Sequence, residues 1–171
     1  MSVQEICDLR VPTAKNAVLY EWATAPKLLE ALAVMKAWGF SYRTQMIWDK
    51  RVVGLGYWTR GVHEIILIGV KGKFSPPAPS LRIPSIYSEK RTFHSKKPDY
   101  IRDMITKWYP DKLKIELFAR NHYPNWTVWG NEVVLVMMMD ENLLVFLPLK
   151  CGFGFCPQYL PLPHRDILTN K

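Results

Sequence analysis

Four polar residues in three short segments have side chains suited to hold a small charged ligand. Lys97 stands directly before a proline that is predicted to open a helix. Backbone N–H groups at such a position already favour anions, so an ammonium group there can hold a carboxylate. Arg120 follows a predicted strand, at the end where ligands bind in open α/β sheets. Asn131 and Glu132 can accept hydrogen bonds from a diol. The alternative interpretations are that Lys97 is an ordinary solvated lysine and that Asn131 and Glu132 belong to an ordinary turn.

Two further segments mix positive charges with aromatic rings, a combination that binds phosphates and stacks bases. The first segment contains Lys50, Arg51 and Arg60 with the adjacent rings of Tyr57 and Trp58. The second contains Lys90, Arg91, Lys96 and Lys97 around Phe93. We predict that both segments contact nucleic acid. Solvated surface loops are the alternative interpretation.

Apolar runs predict the strands that must position these residues. The segment at 63–70 is almost entirely apolar, which is typical of a central strand covered on both faces. Residues 72–84 hold four prolines and are predicted to be loop or sheet edge. Before residue 133, the predicted strands are 16–23, 40–49, 63–70, 113–119 and 126–129.

Helix signals alternate with these strands. Ser2 and Glu5 form a capping box for a short first helix. Prolines are tolerated in the first turn, so Pro26 and Pro98 each mark a helix start, and Gly39 is the C-cap of the second helix. Strands that alternate with helices indicate an α/β sheet with right-handed crossovers.

Three sequence blocks resemble the MT-A70 family, the adenine-N6 methyltransferases that use S-adenosylmethionine. The blocks are Ser95-Lys-Lys-Pro-Asp-Tyr100, Lys114-Ile-Glu-Leu-Phe-Ala-Arg120 and Trp126-Thr-Val-Trp-Gly-Asn-Glu132, in the family's order and at family-like spacing. The resemblance covers residues 1–132. It implies an α/β fold with a Rossmann-like methyltransferase sheet and flanking helices, incomplete at the N-terminus because the first strand is missing.

The resemblance also implies roles for individual residues. Lys97 would contact the methionyl carboxylate of S-adenosylmethionine, and Arg120 and His122 would lie around the ribose and the amino-acid end. Tyr123 departs from the asparagine that the family often has after this histidine. Asn131 and Glu132 would bind the ribose hydroxyls and the adenine edge. The two basic segments would hold the target strand and close over the active site.

The family's catalytic Asp-Pro-Pro-Trp tetrapeptide is not found in this sequence, in which no aspartate is followed by proline. We therefore expect this polypeptide alone to have weak or no methyltransferase activity on DNA or RNA. The alternative is a non-catalytic, nucleic-acid-binding partner subunit of a methyltransferase. A second methyltransferase-like chain or a second copy of this chain is an expected partner in either case.

The tail, residues 133–171, matches nothing in the family and is predicted to be a separate, irregular apolar segment. Residues 133–139 and 143–147 are two apolar runs around a polar turn, which predicts a β-hairpin followed by a Pro-rich end. Such a hairpin could cover an edge or face of the sheet that the missing strand leaves open.

Composition limits the remaining classes of protein. The net charge of +8 favours a polyanionic partner. Three cysteines make no disulfide framework, so we expect free thiols in a reducing compartment, the cytoplasm or nucleus, and no metal site. Residues 1–10 contain acids and no apolar core, which predicts no signal peptide. The longest apolar run is too short to cross a bilayer.

Overall fold

The computed structural model describes residues 1–92 and 96–130, together with the backbone of residues 143–147. Within these residues the chain alternates short helices with strands of one sheet. The helices are α1 (Val3–Cys7), α2 (Leu28–Ala37) and α3 (Asp99–Trp108). The strands are β1 (Ala17–Ala23), β2 (Ser41–Asp49), β3 (His63–Lys71), β4 (Ile86–Ser88), β5 (Leu113–Leu117), β6 (Thr127–Trp129) and β7 (Leu143–Leu147).

The described strands form one sheet in the order β4-β2-β3-β1-β7-β5-β6. Strand β3 runs antiparallel to both of its neighbours, β1 and β2. The other described strands pair in parallel, β2 with β4, β1 with β7, β7 with β5, and β5 with β6. The apolar run of β3 therefore does lie inside the sheet, but the sheet is mixed rather than wholly parallel.

Helices cover both faces of this sheet, because alternate residues of each strand point to opposite sides. On one face Leu19 and Ala23 of β1 pack with α2. On the other face Tyr20 and Trp22 of the same strand pack with α3, whose buried residues are Ile101, Met104 and Ile105. All seven residues of β1 are buried, as expected for a strand between two apolar layers. The predicted α/β fold with flanking helices is confirmed.

Local signals in the sequence are confirmed with small shifts. Ser2 and Glu5 form the capping box of α1. Pro26 lies in a 3₁₀ turn, Ala25–Lys27, that leads into α2, and Gly39 ends that helix with φ of +80°. The short edge strand β4 was not predicted, because it lies just after the Pro-rich segment.

The strand predicted at residues 143–147 is present, and its position is informative. It lies in the middle of the sheet, where Val145 is opposite both Leu19 of β1 and Ile115 of β5. The other half of the predicted hairpin, residues 133–139, lies outside the described residues, as does the Pro-rich end. The division into residues 1–132 and 133–171 remains a prediction.

Candidate functional site

The polar segments singled out in the sequence follow strands that end at the same edge of the sheet. All described strands except β3 point in one direction, so their carboxyl ends lie together. The first basic segment follows β2, the second follows β4, and Arg120 follows β5. Strands β1 and β5 are separated by one strand, so their ends lie roughly 10 Å apart.

A cluster of charges lies beside the carboxyl end of β1. Glu64, at the start of β3, accepts a hydrogen bond from Lys97 through Oε2, and its Oε1 lies 3.6 Å from Lys50 Nζ. The three side chains are only 13–15% exposed. The Lys97 ammonium also lies 4.9 Å from the ring centroid of Trp22, a cation–π contact. Two cations around one carboxylate give this cluster a net positive charge.

The end of β5 has an unusual backbone. Phe118 has φ of +58°, a conformation that is rare for a bulky residue and is found preferentially at functional sites. Its ring packs edge-on against Trp129, with centroids 5.3 Å apart. The next residue, Ala119, donates its N–H to the Trp129 carbonyl at 2.9 Å. The chain then turns and presents Arg120 and His122 at the surface.

Helix α3 is tied to this region through Arg102. Its guanidinium lies 2.9 Å from Glu116 of β5 and 2.7 Å from Asp99. Burial raises the pKa of Glu116 despite the neighbouring Arg102 charge. Tyr123 donates to Asp103 and its ring lies 5.0 Å from Arg102 Cζ. Glu116 is thus paired with a base, and Tyr123 anchors the turn that follows His122 to α3.

The first basic segment, residues 50–62, projects as a loop between β2 and β3. Leu55 and Trp58 are each 99% exposed, and Tyr57 is fully exposed. The base of the loop is closed by a hydrogen bond from Gly54 N–H to the carbonyl of Gly61, at 3.0 Å. A Cβ at Gly56 would lie 1.9 Å from the Thr59 carbonyl oxygen. This tight turn therefore requires glycine, and it holds the aromatic tip away from the body of the protein.

The basic residues of that loop differ in exposure. Arg51 and Arg60 are exposed. Lys50 is mostly buried and directs its ammonium to Glu64. The backbone N–H of Arg51 donates to Asp49 Oδ1 at 2.9 Å, a bond that contributes most to the lowered pKa of that aspartate.

The second basic segment meets the first at its base. The N–H of Arg91 donates to the Lys50 carbonyl at 3.1 Å. Lys96 lies 3.1 Å from Asp99. Burial tends to raise the pKa of Asp99, but the Lys96 and Arg102 cations lower it overall. A cavity of about 50 Å³ lies beside the second segment and is lined by Trp48, Glu89, Lys90, Thr92, Lys96, Lys97, Pro98 and Asp99.

The structure thus places most of the predicted site residues on one edge. Lys97 and Lys50 share Glu64, whereas Arg120 and His122 lie farther along, after β5. Asn131 and Glu132 lie outside the described residues, although they follow closely on the end of β6. Sequence reasoning missed Glu64 and the strained Phe118, because a carboxylate in an apolar strand and a phenylalanine in a motif carry no local signal of their contacts.

Other sequence expectations are tested only in part. Among residues 1–92 and 96–130, no group of His, Cys, Asp and Glu side chains could hold a metal ion. No helix of the described chain is long and apolar enough to cross a bilayer. Cys7 is a free thiol. Cys151 and Cys156 lie outside the described residues, so the reducing compartment stays a prediction.

An α/β sheet with helices on both faces and charged side chains at its carboxyl edge is consistent with a Rossmann-like methyltransferase fold. Comparison with known families agrees, because the MT-A70 family model matches residues 1–132. The chain belongs to the MT-A70 family, whose members are adenine-N6 methyltransferases that use S-adenosylmethionine.

Relatives are found in bacteria, animals and plants. The type II methyltransferase M.MunI of a Mycoplasma species is 36% identical over 136 residues, which are 78% of this chain and 58% of that protein. The human N(6)-adenosine-methyltransferase catalytic subunit METTL3 is 30% identical over 151 residues, 82% of this chain and 26% of METTL3. The MT-A70-like protein of Drosophila melanogaster is 29% identical over 91% of this chain and 27% of its own length. The chain thus spans between about a quarter and three fifths of these relatives.

Proposed function

We propose that this chain takes part in adenine-N6 methylation of nucleic acid with S-adenosylmethionine as methyl donor. The observation that supports this most is the arrangement of Lys97 and Arg120. They come from segments 23 residues apart, yet both lie at the carboxyl edge of a sheet whose family uses that cofactor. The net positive charge around Lys97 suits the carboxylate of the cofactor's methionyl end.

In this proposal the cofactor lies along the edge from β1 to β6. Lys97 holds the carboxylate, and Arg120 and His122 contact the ribose and the amino-acid end. Asn131 and Glu132 accept hydrogen bonds from the ribose hydroxyls and reach the adenine edge. The cofactor, when bound, supplies the methyl group on its sulfonium sulfur. The strained Phe118 turn supports this assignment, because it sets the direction in which Arg120 leaves β5.

The target strand, DNA or RNA, is proposed to cross the two basic segments. Tyr57 and Trp58 offer exposed rings for stacking on bases. Arg51, Arg60 and the exposed Lys90 supply charge for phosphates. The hydrogen bond between Arg91 and Lys50 joins the two segments, so that a strand held by one is guided to the other.

Cofactor binding tests this proposal directly. We expect S-adenosylmethionine to raise the melting temperature of the 171-residue polypeptide, because a ligand that binds the folded state stabilises it by mass action. The variants Lys97→Met and Arg120→Met are expected to reduce the shift. No shift in the wild-type protein at millimolar cofactor would count against the cofactor assignment.

Methyl transfer by this polypeptide alone is proposed to be weak or absent, since the sequence has no Asp-Pro-Pro-Trp. Loss of a single transition-state hydrogen-bond partner lowers rates by about 100- to 1000-fold. The measurement is incorporation of labelled methyl groups into adenine-containing DNA and RNA oligonucleotides. Robust turnover would contradict the expectation.

A second candidate is a non-catalytic partner subunit that binds nucleic acid. The ion pair between Lys97 and Glu64 favours it, because it engages the lysine without any ligand. A partner subunit would bind oligonucleotides with a steep salt dependence. It would show no thermal shift with S-adenosylmethionine, which distinguishes the two candidates in one experiment. The expected companion is a second methyltransferase-like chain or another copy of this chain.

A further inference from the structure

We propose that Lys50 is a positioning residue for the anion site at Lys97 and that it acts through Glu64. In this role Lys50 does not touch the ligand. It compensates the charge of Glu64, so that the charge of Lys97 remains available to a carboxylate. This inference rests on the proposed function, because it takes the carboxylate to be that of the cofactor.

The geometry separates the two lysines. Glu64 uses one carboxylate oxygen for each, Oε2 for Lys97 and Oε1 for Lys50. Lys50 and Glu64 are held by the sheet itself, since Lys50 N–H donates to the Val62 carbonyl at 2.8 Å and Trp48 is opposite Glu64 in the β2–β3 ladder. Lys97 reaches the same carboxylate from the segment before α3. The pair from the sheet is therefore the fixed part of the cluster.

The charge balance gives Lys50 its effect. Without it, Glu64 and Lys97 would neutralise each other, and the cluster would have no net charge to attract an anion. With it, the cluster has a net charge of about +1. The three side chains are 13–15% exposed, so water and salt screen them less than surface charges.

Lys97 keeps the capacity to bind a ligand in this arrangement. Its ammonium has three N–H donors, and one is used by Glu64. The ring of Trp22 covers another side. An incoming carboxylate thus meets an ammonium whose orientation is fixed by Glu64 and whose charge is preserved by Lys50. Sequence reasoning assigned Lys50 to phosphate contact, and its burial gives it this different role.

The test compares two ligands that differ at the amino-acid end. S-adenosylhomocysteine has the carboxylate, and 5′-methylthioadenosine has the same nucleoside and a thioether but lacks it. By calorimetry we expect the wild-type protein to bind the first more tightly. Lys50→Met should weaken binding of S-adenosylhomocysteine about two- to fivefold, the upper range for one charge partner at a partly exposed site. Binding of 5′-methylthioadenosine should change less than about twofold.

Matched variants control for charge and folding. Lys50→Arg keeps the charge and should restore the preference for S-adenosylhomocysteine. Lys36→Met removes an exposed lysine from the last turn of α2 and should have no effect. If Lys50→Met does not fold, Lys50→Gln is the second neutral variant.

The results separate the proposed role of Lys50 from the proposed cofactor site. Equal weakening of both ligands by the neutral variants, or no weakening of either, overturns the role of Lys50 and leaves the proposed function intact. If the wild-type protein binds neither ligand, the proposed cofactor site is wrong, and the role of Lys50 is then wrong as well.

Discussion

Glu21 places a carboxyl group inside the sheet, where burial disfavours its ionised form. The residue is fully buried in β1, and within the described residues neither carboxyl oxygen has a hydrogen-bond partner. Burial raises the pKa of Glu21 to about 8. The group is therefore protonated in the folded protein at neutral pH, because an unpaired charge in this position would lose its hydration without compensation.

The linkage between this proton and folding predicts a pH dependence. The unfolded chain ionises Glu21 near its ordinary pKa of 4.5, whereas the folded chain retains the proton up to about pH 8. The free energy of unfolding should therefore fall as pH rises between these values, by roughly 4–5 kcal/mol in total. We expect Glu21→Gln to match the wild type at pH 4 and to be increasingly more stable up to pH 8.

The measurement is urea unfolding at several pH values, read as the difference between variant and wild type. Glu30→Gln is a suitable control, because Glu30 is partly exposed and its pKa is lowered by the hydrogen bond from Lys27. That variant should show no gain in stability with rising pH. If the difference in unfolding free energy between Glu21→Gln and the wild type does not change between pH 4 and pH 8, the carboxyl group has a hydrogen-bond or ion-pair partner.

The partners of single residues were the least predictable part of the site. Lys97 was identified from its place before a helix, but its contact with Glu64 joins positions 33 residues apart. That contact depends on β3 lying beside β1, which no local pattern encodes. The pairing of Arg102 with Glu116 depends in the same way on how α3 packs on β5.

At the scale of elements, the loop between β2 and β3 is a defined structure with an aromatic tip. If it stacks on bases, Tyr57→Ala with Trp58→Ala should weaken binding of a single-stranded oligonucleotide. Stacking contributes about 1–3 kcal/mol per base, so we expect at least a tenfold loss for the double variant. Fluorescence anisotropy with a labelled oligonucleotide measures it.

Leu55 provides the matched comparison in the same loop. It is as exposed as Trp58 and is apolar, but it has no aromatic face. Leu55→Ala should leave oligonucleotide binding unchanged. If it weakens binding as much as the loss of the two rings, the loop acts through general apolar contact rather than stacking.

The junction of β5 and β6 depends on Gly130. A Cβ there would lie 2.1 Å from the Ala119 carbonyl oxygen and 2.7 Å from its nitrogen, both backbone atoms that cannot rotate away. Gly130→Ala should therefore push the end of β6 from the Phe118 turn and lower the free energy of unfolding by about 1–3 kcal/mol. We also expect weaker cofactor binding, because Arg120 follows directly on that turn.

Gly61→Ala is the control, since nothing lies within 4 Å of a Cβ at that position and its φ is not positive. Thermal melting of both variants, with and without S-adenosylhomocysteine, separates the two effects. A Gly130→Ala protein that melts with the wild type would mean that the close approach of the two strand ends relaxes at no cost.

Most elements could be predicted from sequence, because their signals are local. The capping box of α1, the glycine end of α2 and the apolar runs of β1 and β3 each act within a few residues. Strand β4 was missed because its three residues are too few to show a period in the sequence. Proline-rich sequence before it favoured a loop over a strand.

At the scale of the whole molecule, local signals do not determine the order and direction of the strands in the sheet. Alternation of strands and helices indicated an α/β fold, but the order of strands depends on contacts between distant segments. The antiparallel direction of β3 and the central place of β7 are both of this kind. A late apolar run can pair with any strand that offers free backbone groups, and hydrophobicity alone does not choose between an edge and the centre.

The central position of β7 leads to a prediction about the whole sheet. Of the described strands, β7 alone pairs with both β1 and β5 and so joins the two groups of strands, β4-β2-β3-β1 and β5-β6. The backbone N–H groups of β7 donate hydrogen bonds either to β1 or to β5. Val145→Pro removes one of these donors and leaves a carbonyl of a neighbouring strand unpaired, which costs about 1–3 kcal/mol. We expect the melting temperature to fall by roughly 2–10 °C.

Ile86→Pro in the edge strand β4 is the matched comparison. Backbone hydrogen bonds from Ile47 N–H to the Ser85 carbonyl and from Glu89 N–H to the Asp49 carbonyl show that β4 pairs through odd-numbered residues. The Ile86 N–H therefore points away from β2, and proline is tolerated on the free side of an edge strand. Hydrogen exchange adds a local readout, since Val145→Pro should increase exchange in both β1 and β5 at positions facing β7. If Val145→Pro melts like the wild type, residues 143–147 do not complete this sheet in solution.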